Sequence, residues 1–333
     1  MTEASAVNDP GIAFRTIPTA VSDYAGEVDK LYYALLGLSG LLIVILVALV
    51  VIFGWRYRED RSGERLPLLG KRTGHYVEIG FAVLLALLFL GIFAWGSQLY
   101  LALYGESRAD MTINVVGKQW MWKIQHPDGT REINTLHVPA GETIRLRIIS
   151  QDVIHSFSLP GLRLKRDAVP GQYTSAVFTP EKVGEYRLFC AEYCGTSHSR
   201  MRGKLVVLSS ADYQAWLTRN GQGPGPVAAG RQLFQSYGCS GCHQGKASVR
   251  APGLDGVYGR TVPLADGRTV KADEAYLRDS IMLPQKHVVA GYAPIMPSFS
   301  GQIGEGEILQ IVAYLKSLEP GEWQTDNSTG ARP

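Results

Sequence analysis

Two stretches of the chain carry no charged side chain at all. Leu31 to Trp55 lies between Lys30 and Arg56, and Ile79 to Gly105 lies between Glu78 and Glu106. At 1.5 Å per residue each predicts a helix of roughly 37–40 Å, enough to cross a hydrocarbon core of about 30 Å. A buried helix of a soluble core is a poor alternative, because few run this long without a charge. A cleaved signal peptide also fits badly: the run is too long, and the residues before it are acidic rather than basic. From Met111 to Leu208 the period shortens to two. "MTINVVGKQWMWKIQ", "ETIRLRIISQ", "YTSAVFTP", "GEYRLFC" and "RGKLVVL" alternate apolar and polar residues between Gly and Pro turns, which predicts an antiparallel sandwich or barrel. "TRNGQGPGPVAAG" then reads as a flexible linker. Beyond it the pattern is helical, with Ile308, Ile311, Val312 and Leu315 on one face of a terminal helix.

These patterns divide the 333 residues into a multidomain membrane protein. Residues 1–30 form an N-terminal segment, and 31–105 a two-helix hairpin with a loop at 56–78. An all-β domain follows over 106–209, a linker over 210–228, an all-α domain over 229–319 and a disordered tail over 320–333. Charge orients the hairpin. The loop holds Arg56, Arg58, Arg61, Arg65, Lys71 and Arg72 against Glu59, Asp60 and Glu64, whereas the first thirty residues hold two basic and five acidic side chains. The positive-inside bias therefore predicts a cytoplasmic loop. The N-terminus and residues 106–333 then face outward, on the periplasmic side of a bacterial inner membrane. The net charge of +3 is not gathered into a basic stripe, so nucleic acid is not an expected partner.

The four cysteines come as two close pairs, Cys190/Cys194 and Cys239/Cys242. Close pairs with histidine nearby read as metal or haem ligands before they read as a disulfide framework. "CAEYCGTSHSRM" gathers Cys190, Cys194, His198 and Met201 within twelve residues after a strand, and His155 in "DVIHSFSLPG" can join from a neighbouring strand end. Two thiolates, two imidazoles and a thioether suit copper better than hard cations. Two cysteines four apart on one loop can bridge two metals, with one histidine for each. A Cys190–Cys194 disulfide and a tetrahedral Cys₂His₂ zinc site remain open on these residues, though zinc gives Met201 no role. A single blue-type copper uses one cysteine, and here there are two.

This loop resembles the dinuclear copper (CuA) loop of cytochrome c oxidase subunit II, whose copper domain is a Greek-key cupredoxin. The resemblance implies copper ligands at His155, Cys190, Glu192 (through its backbone carbonyl), Cys194, His198 and Met201. It also implies a magnesium ion held by the Glu192 side chain at the subunit I interface. "GKQWMW" is similar to the family's aromatic patch, which makes Trp120 the point where electrons arrive, although Lys118 and Met121 stand where histidine and aromatic residues are usual. "LKRDAVPG" resembles the segment that lies against subunit I.

"CSGCH" supplies Cys239, Cys242 and His243, the pattern that attaches haem c through two thioethers with the adjacent histidine on the iron. The setting resembles a class I cytochrome c, in which the carbonyl of a proline such as Pro252 orients the histidine ring. A methionine is expected as sixth ligand. Met296, in "APIMPSF", resembles the family's ligand loop; Met282 fits packing on an apolar helix face better, and His287 is a further rival.

Taken together the chain resembles subunit II of a caa-type oxidase, the class with a fused cytochrome c. The resemblance implies an electron path from an external donor through haem c and CuA to the oxygen-reducing site of subunit I, with subunit III as a further partner. A CuA-fed nitric oxide reductase and a free-standing membrane-anchored electron carrier are the alternatives. Glu78 is an ordinary solvated helix end on its own residues. "HYVEIGF" partly matches the family segment with a glutamate at a proton-channel mouth, without the tryptophan-threonine-proline run. From Ser107 to Leu208 fourteen Lys/Arg stand against nine Asp/Glu, so little productive binding of a free basic cytochrome is expected directly at the copper domain.

Overall fold

Ser22 starts the first helix by accepting the Ala25 amide in its side chain, and α1 runs over Asp23–Arg56. Helix α2 covers Lys71–Tyr104, so it takes in Glu78 and the basic residues ahead of the apolar run. The computed structural model describes residues 18–58, 70–104, 108–221, 223–244 and 251–320. The first seventeen residues, most of the expected hairpin loop and the expected tail after Pro320 lie outside the described residues. Within the two helices, Tyr24–Arg56 and Lys71–Ala102 are long and apolar enough to cross a membrane. Their large side chains are bare: Leu41, Ile43 and Phe93 are 57%, 61% and 71% exposed. A helix packed into a soluble core would bury such residues, so that alternative is excluded here.

The β-domain has ten strands: β1 (Met111–Lys118), β2 (Met121–Gln125), β3 (Arg131–Ile133), β4 (Thr135–Pro139), β5 (Ile144–Ser150), β6 (His155–Leu159), β7 (Leu164–Ala168), β8 (Thr174–Phe178), β9 (Gly184–Cys190) and β10 (Arg202–Leu208). They form two sheets, ordered β3-β2-β1-β5-β8 and β4-β10-β9-β6-β7, a cupredoxin-like sandwich. The sheets are mixed rather than purely antiparallel, since β1 pairs β5 and β4 pairs β10 in parallel. Long excursions through other strands separate these partners, and such crossovers are what parallel pairing requires. Trp122, Phe157, Leu136, Leu146, Leu188 and Leu205 fill the space between the sheets with no exposed surface. Each such side chain contributes roughly 1.5–3 kcal/mol of burial.

The expected linker at 210–228 is largely helical. Helix α3 (Ser210–Asn220) is capped by Ser209, which accepts the Asp212 amide at 3.2 Å. Its Tyr213 is buried, with the hydroxyl 3.1 Å from His126 Nδ1, and its Trp216 stacks on His137 with centroids 4.5 Å apart. The helix therefore belongs to the β-domain, because its aromatic face has partners there. Helix α4 (Pro226–Ser236) begins with proline at a position where no amide is needed. It is followed by α5 (Cys239–His243), the short hairpin β11 (Thr261–Pro263) and β12 (Thr269–Lys271), α6 (Glu274–Met282) and α7 (Glu305–Ser317).

Helices α4 and α7 cross in contact at Gly230, where a Cβ would lie 1.9 Å from the Gln310 carbonyl oxygen. Only glycine permits that approach. Phe234, Leu277, Ile308, Ile311, Val312 and Leu315 form the core around this crossing. The β-domain and the helical domain make one compact unit, and residues 18–107 make a second.

Candidate metal and haem sites

Cys190 closes β9, and the turn to β10 carries Cys194, a 3₁₀ turn over His198–Arg200, and Met201. His155 opens β6, which pairs with β9 at Phe157 and Cys190. The ladder thus carries a histidine distant in sequence to the cysteine loop. Cys190 Sγ lies 3.7 Å from Cys194 Sγ and 4.0 Å from His155 Nδ1, while Cys194 Sγ lies 3.4 Å from His198 Nδ1. The Glu192 carbonyl oxygen is 3.3 Å from Cys190 Sγ, and Met201 Sδ is 3.8 Å from Cys194 Sγ. Each sulfur therefore has one imidazole nitrogen and one weak donor of its own. The 3.7 Å sulfur separation is far from a covalent bond of about 2.05 Å. Met201 is 1% exposed and faces the cysteines, a donor that copper uses and zinc does not. The donor set fits a pair of copper ions.

Two residues outside the expected set shape this site. Asp152 Oδ1 is 2.7 Å from His155 Nε2, and its Oδ2 accepts the Gln119 amide at 2.7 Å. The carboxylate fixes the tautomer that leaves Nδ1 free to face a metal. Gly117 makes room for the ring, since a Cβ there would lie 2.9 Å from His155 Cδ2 and 3.1 Å from Trp122 Cζ3. An Asp three residues before a histidine was a legible signal for the first. Nothing local marks the second, whose neighbours come from other strands.

The protonation of the metal-free site is divided between the sulfurs. Burial works against the Cys190 thiolate, but hydrogen bonds with His155, the Ser156 and Glu192 backbone and Cys194 together outweigh it and bring the thiol down to about 6. Burial and the adjacent Cys190 push Cys194 up to about 12. Burial likewise opposes the charged form of His155, yet its contacts with Cys190 and Asp152 raise it. Of the two thiols, Cys190 therefore gives up its proton the more readily.

Trp120 Nε1 donates to the Cys194 carbonyl at 3.2 Å, beside Gln119 Nε2 at 2.9 Å, so the tryptophan lies against the metal loop. The side chain of Glu192 is exposed, and Glu78 is exposed on α2.

In the helical domain Cys239, Cys242 and His243 share the single helix α5. They line a cavity of 620 Å³ together with Met296 and His287, which fits a haem-sized group. His243 Nδ1 donates to the Pro252 carbonyl at 2.9 Å, leaving Nε2 free, and burial lowers its pKa. Burial favours the neutral imidazole that a metal needs and outweighs the opposing pull of the Pro252 carbonyl, whose hydrogen bond fixes the tautomer. Met282 packs against the domain core instead. His287 Nδ1 is buried without a hydrogen-bond partner among the described residues.

Comparison with known proteins finds a family match within each domain. Residues 131–209 match the family "Cytochrome C oxidase subunit II, periplasmic domain", and residues 227–319 match "Cytochrome c". Trp120 lies outside the matched residues. The cytochrome c oxidase subunit 2 of Thermostichus vulcanus is 40% identical over 111 residues, 33% of this chain and 34% of that protein. That of Alkalihalophilus pseudofirmus is 32% identical over 218 residues, 62% of this chain and 61% of that protein. The match thus spans about a third of the first relative's length and three fifths of the second's. A solved periplasmic domain of cytochrome oxidase subunit II from Bradyrhizobium japonicum is 30% identical, covering 34% of this chain and 95% of that one, with a TM-score of 0.33. The chain is thus similar to the cytochrome c oxidase subunit II periplasmic domain over residues 131–209 and to cytochrome c over residues 227–319.

Proposed function

We propose that this chain is the electron-accepting subunit of a terminal cytochrome c oxidase. The observation that carries the reading is the convergence of six copper donors, with each sulfur 3.3–4.0 Å from its neighbouring donor atoms. His155, Cys190, Glu192, Cys194, His198 and Met201 would hold two copper ions, and Cys239, Cys242, His243 and Met296 one covalent haem c. When bound, these groups supply one-electron redox chemistry between an external donor and the haem-copper site of subunit I. The chain's own residues fix the donors. Asp152 orients His155, Pro252 orients His243, and the buried thioether of Met201 closes one end of the metal pocket. Trp120, hydrogen-bonded to the metal loop, serves as the electron-arrival residue. The exposed carboxylate of Glu192 is available to a magnesium ion shared with subunit I.

In this reading α1 and α2 cross a bacterial inner membrane, and both globular domains lie on its outer side. Glu78 stands at the inner end of α2, where it would serve proton uptake by subunit I; subunit III completes the partners. The test is purification of the intact complex, followed by visible spectroscopy and a metal count. Two copper ions per chain beyond those of subunit I, a covalent haem c and a high-spin haem paired with copper are expected. Zinc in place of the two coppers would overturn the copper reading, and co-purified non-haem iron would indicate a nitric oxide reductase. Deleting residues from Gly230 onward should abolish oxidation of the natural donor, and full turnover of the shortened complex would overturn the proposed route through the fused domain.

A further inference from the structure

Strands of a sandwich with one wet face bury every second residue, and β1 and β5 are among the strands here that depart from that rule. Val115 and Val116 are consecutive in β1 and both buried, and so are Ile148 and Ile149 in β5. A consecutive apolar pair means that both faces are covered at that point. The sandwich core covers one face. The cytochrome c domain covers the other, where Leu309 of α7 forms a buried cluster with Val116 and Ile149, flanked by Tyr173.

Charges frame this apolar contact. Arg147 of β5 pairs with Glu274, the first residue of α6, and its guanidinium lies 5.3 Å from the centre of the Tyr173 ring. Glu274 also holds Lys316. Behind them Arg278 grips Glu305 through both carboxylate oxygens, with both side chains less than a tenth exposed. Next to this patch the capping turn of α7 reaches the copper domain. Glu307 accepts the Gly304 amide at 2.9 Å and the Tyr237 hydroxyl at 3.3 Å, and Tyr237 belongs to the wall of the haem cavity. The amide nitrogen of Gln151 lies 4.0 Å from the Cβ position of Gly304. Gln151 immediately precedes Asp152, the residue that holds His155.

We propose that the cytochrome c domain is docked on the copper domain in one fixed pose, latched by Arg147–Glu274 over the Val116/Ile149/Leu309 contact, with the α7 cap against Gln151 as the junction between haem cavity and copper site. The electron-transfer role of that junction rests on the function proposed above; the docking itself does not. Buried contacts of this kind are little screened by salt, so the pose persists at ionic strengths that dissolve surface docks. Arg147, Glu274 and Gln151 are positioning residues that touch neither cofactor.

Hydrogen exchange on the intact chain, with and without cofactors, tests the latch. Amides of β1, β5 and α7 should be protected in the native chain at both low and high salt. Arg147→Glu should raise exchange at Ile149 and Leu309 roughly 5–30-fold. Glu274→Gln should do so from the other side of the contact, and Arg147→Glu with Glu274→Arg should restore protection. Pulsed dipolar spectroscopy between the copper and haem centres should give one narrow distance in the native chain and a broad one in Arg147→Glu. Unchanged exchange in both single variants, or a broad native distribution, would overturn the proposal. Failure to incorporate haem or copper would count against the proposed function alone, because the exchange experiment runs without either.

Discussion

Replacing Gly117 by alanine tests whether the copper site depends on space left for one imidazole. The added methyl would lie 2.9 Å from His155 Cδ2, 3.3 Å from its Cγ and 3.1 Å from Trp122 Cζ3. Carbon atoms in contact prefer about 3.5–4.0 Å, so the ring must retreat by roughly 0.6 Å or more. It has nowhere to go: His155 is fully buried, with Trp122 edge-on at 5.9 Å and Asp152 holding Nε2 at 2.7 Å. Overpacking of this kind destabilises by about 1–3 kcal/mol. A displacement beyond about 0.5 Å also spoils a preorganised metal site. Copper retention should therefore fall by roughly 10–100-fold, as it does when the group orienting a ligand is lost. The assay is copper titration of the purified chain against a competing chelator, followed by absorption and electron paramagnetic resonance, with thermal unfolding measured in parallel. A variant that binds two coppers with native affinity and an unchanged spectrum would refute the steric argument, whatever its stability.

Three further outcomes follow from the site and its supports. Asp152→Asn should weaken copper binding by about 10–100-fold while the fold is kept, measured by the same titration. Met296→Ala should convert the haem spectrum to a high-spin form, whereas Met282→Ala should leave the spectrum alone and lower the melting temperature; the reverse pattern would reassign the ligand. Burial opposes the charge of Glu132, but hydrogen bonds from His126 and His137 hold its pKa below the usual value of 4.5. Its stabilising contribution is thus complete above that pH and lost as pH falls through the lower folded value. Glu132→Gln should destabilise the chain at neutral pH by about 1–3 kcal/mol and flatten its acid dependence, followed by the fluorescence of Trp216.

The cluster proposed to hold copper was legible to the extent that its donors are contiguous. Twelve residues carry five of the six, and the strand ladder brings in His155. Asp152 was passed over although it stands only three residues before His155, whereas the role of Gly117 depends on side chains from other strands. The cysteines and histidine on α5 were legible for the same reason, and the cavity separates Met296 on its wall from Met282 in the core. In the fold, period-two alternation marked the strands but not the direction of their pairing, which depends on crossovers spanning several strands. Helix α3 was missed because the Gly-Pro texture after Asn220 outweighed Tyr213 and Trp216, whose partners His126 and His137 lie some eighty residues upstream. The doubled apolar positions of β1 and β5 were visible in the sequence but pass as strong strand signal until a covering domain is seen.

The aromatic packing of α3 also decides where the chain can be cut. A copper domain ended after Leu208 would lose Tyr213 and Trp216, uncovering His126 and His137 together with the carboxylate they share. Such a fragment should be prone to aggregation and sensitive to acid even with its copper ligands intact. One that runs through Asn220 keeps its lid and ends in the short segment before Pro226. For recombinant study of either half, the natural seam is that five-residue segment and not the last strand of the sheet.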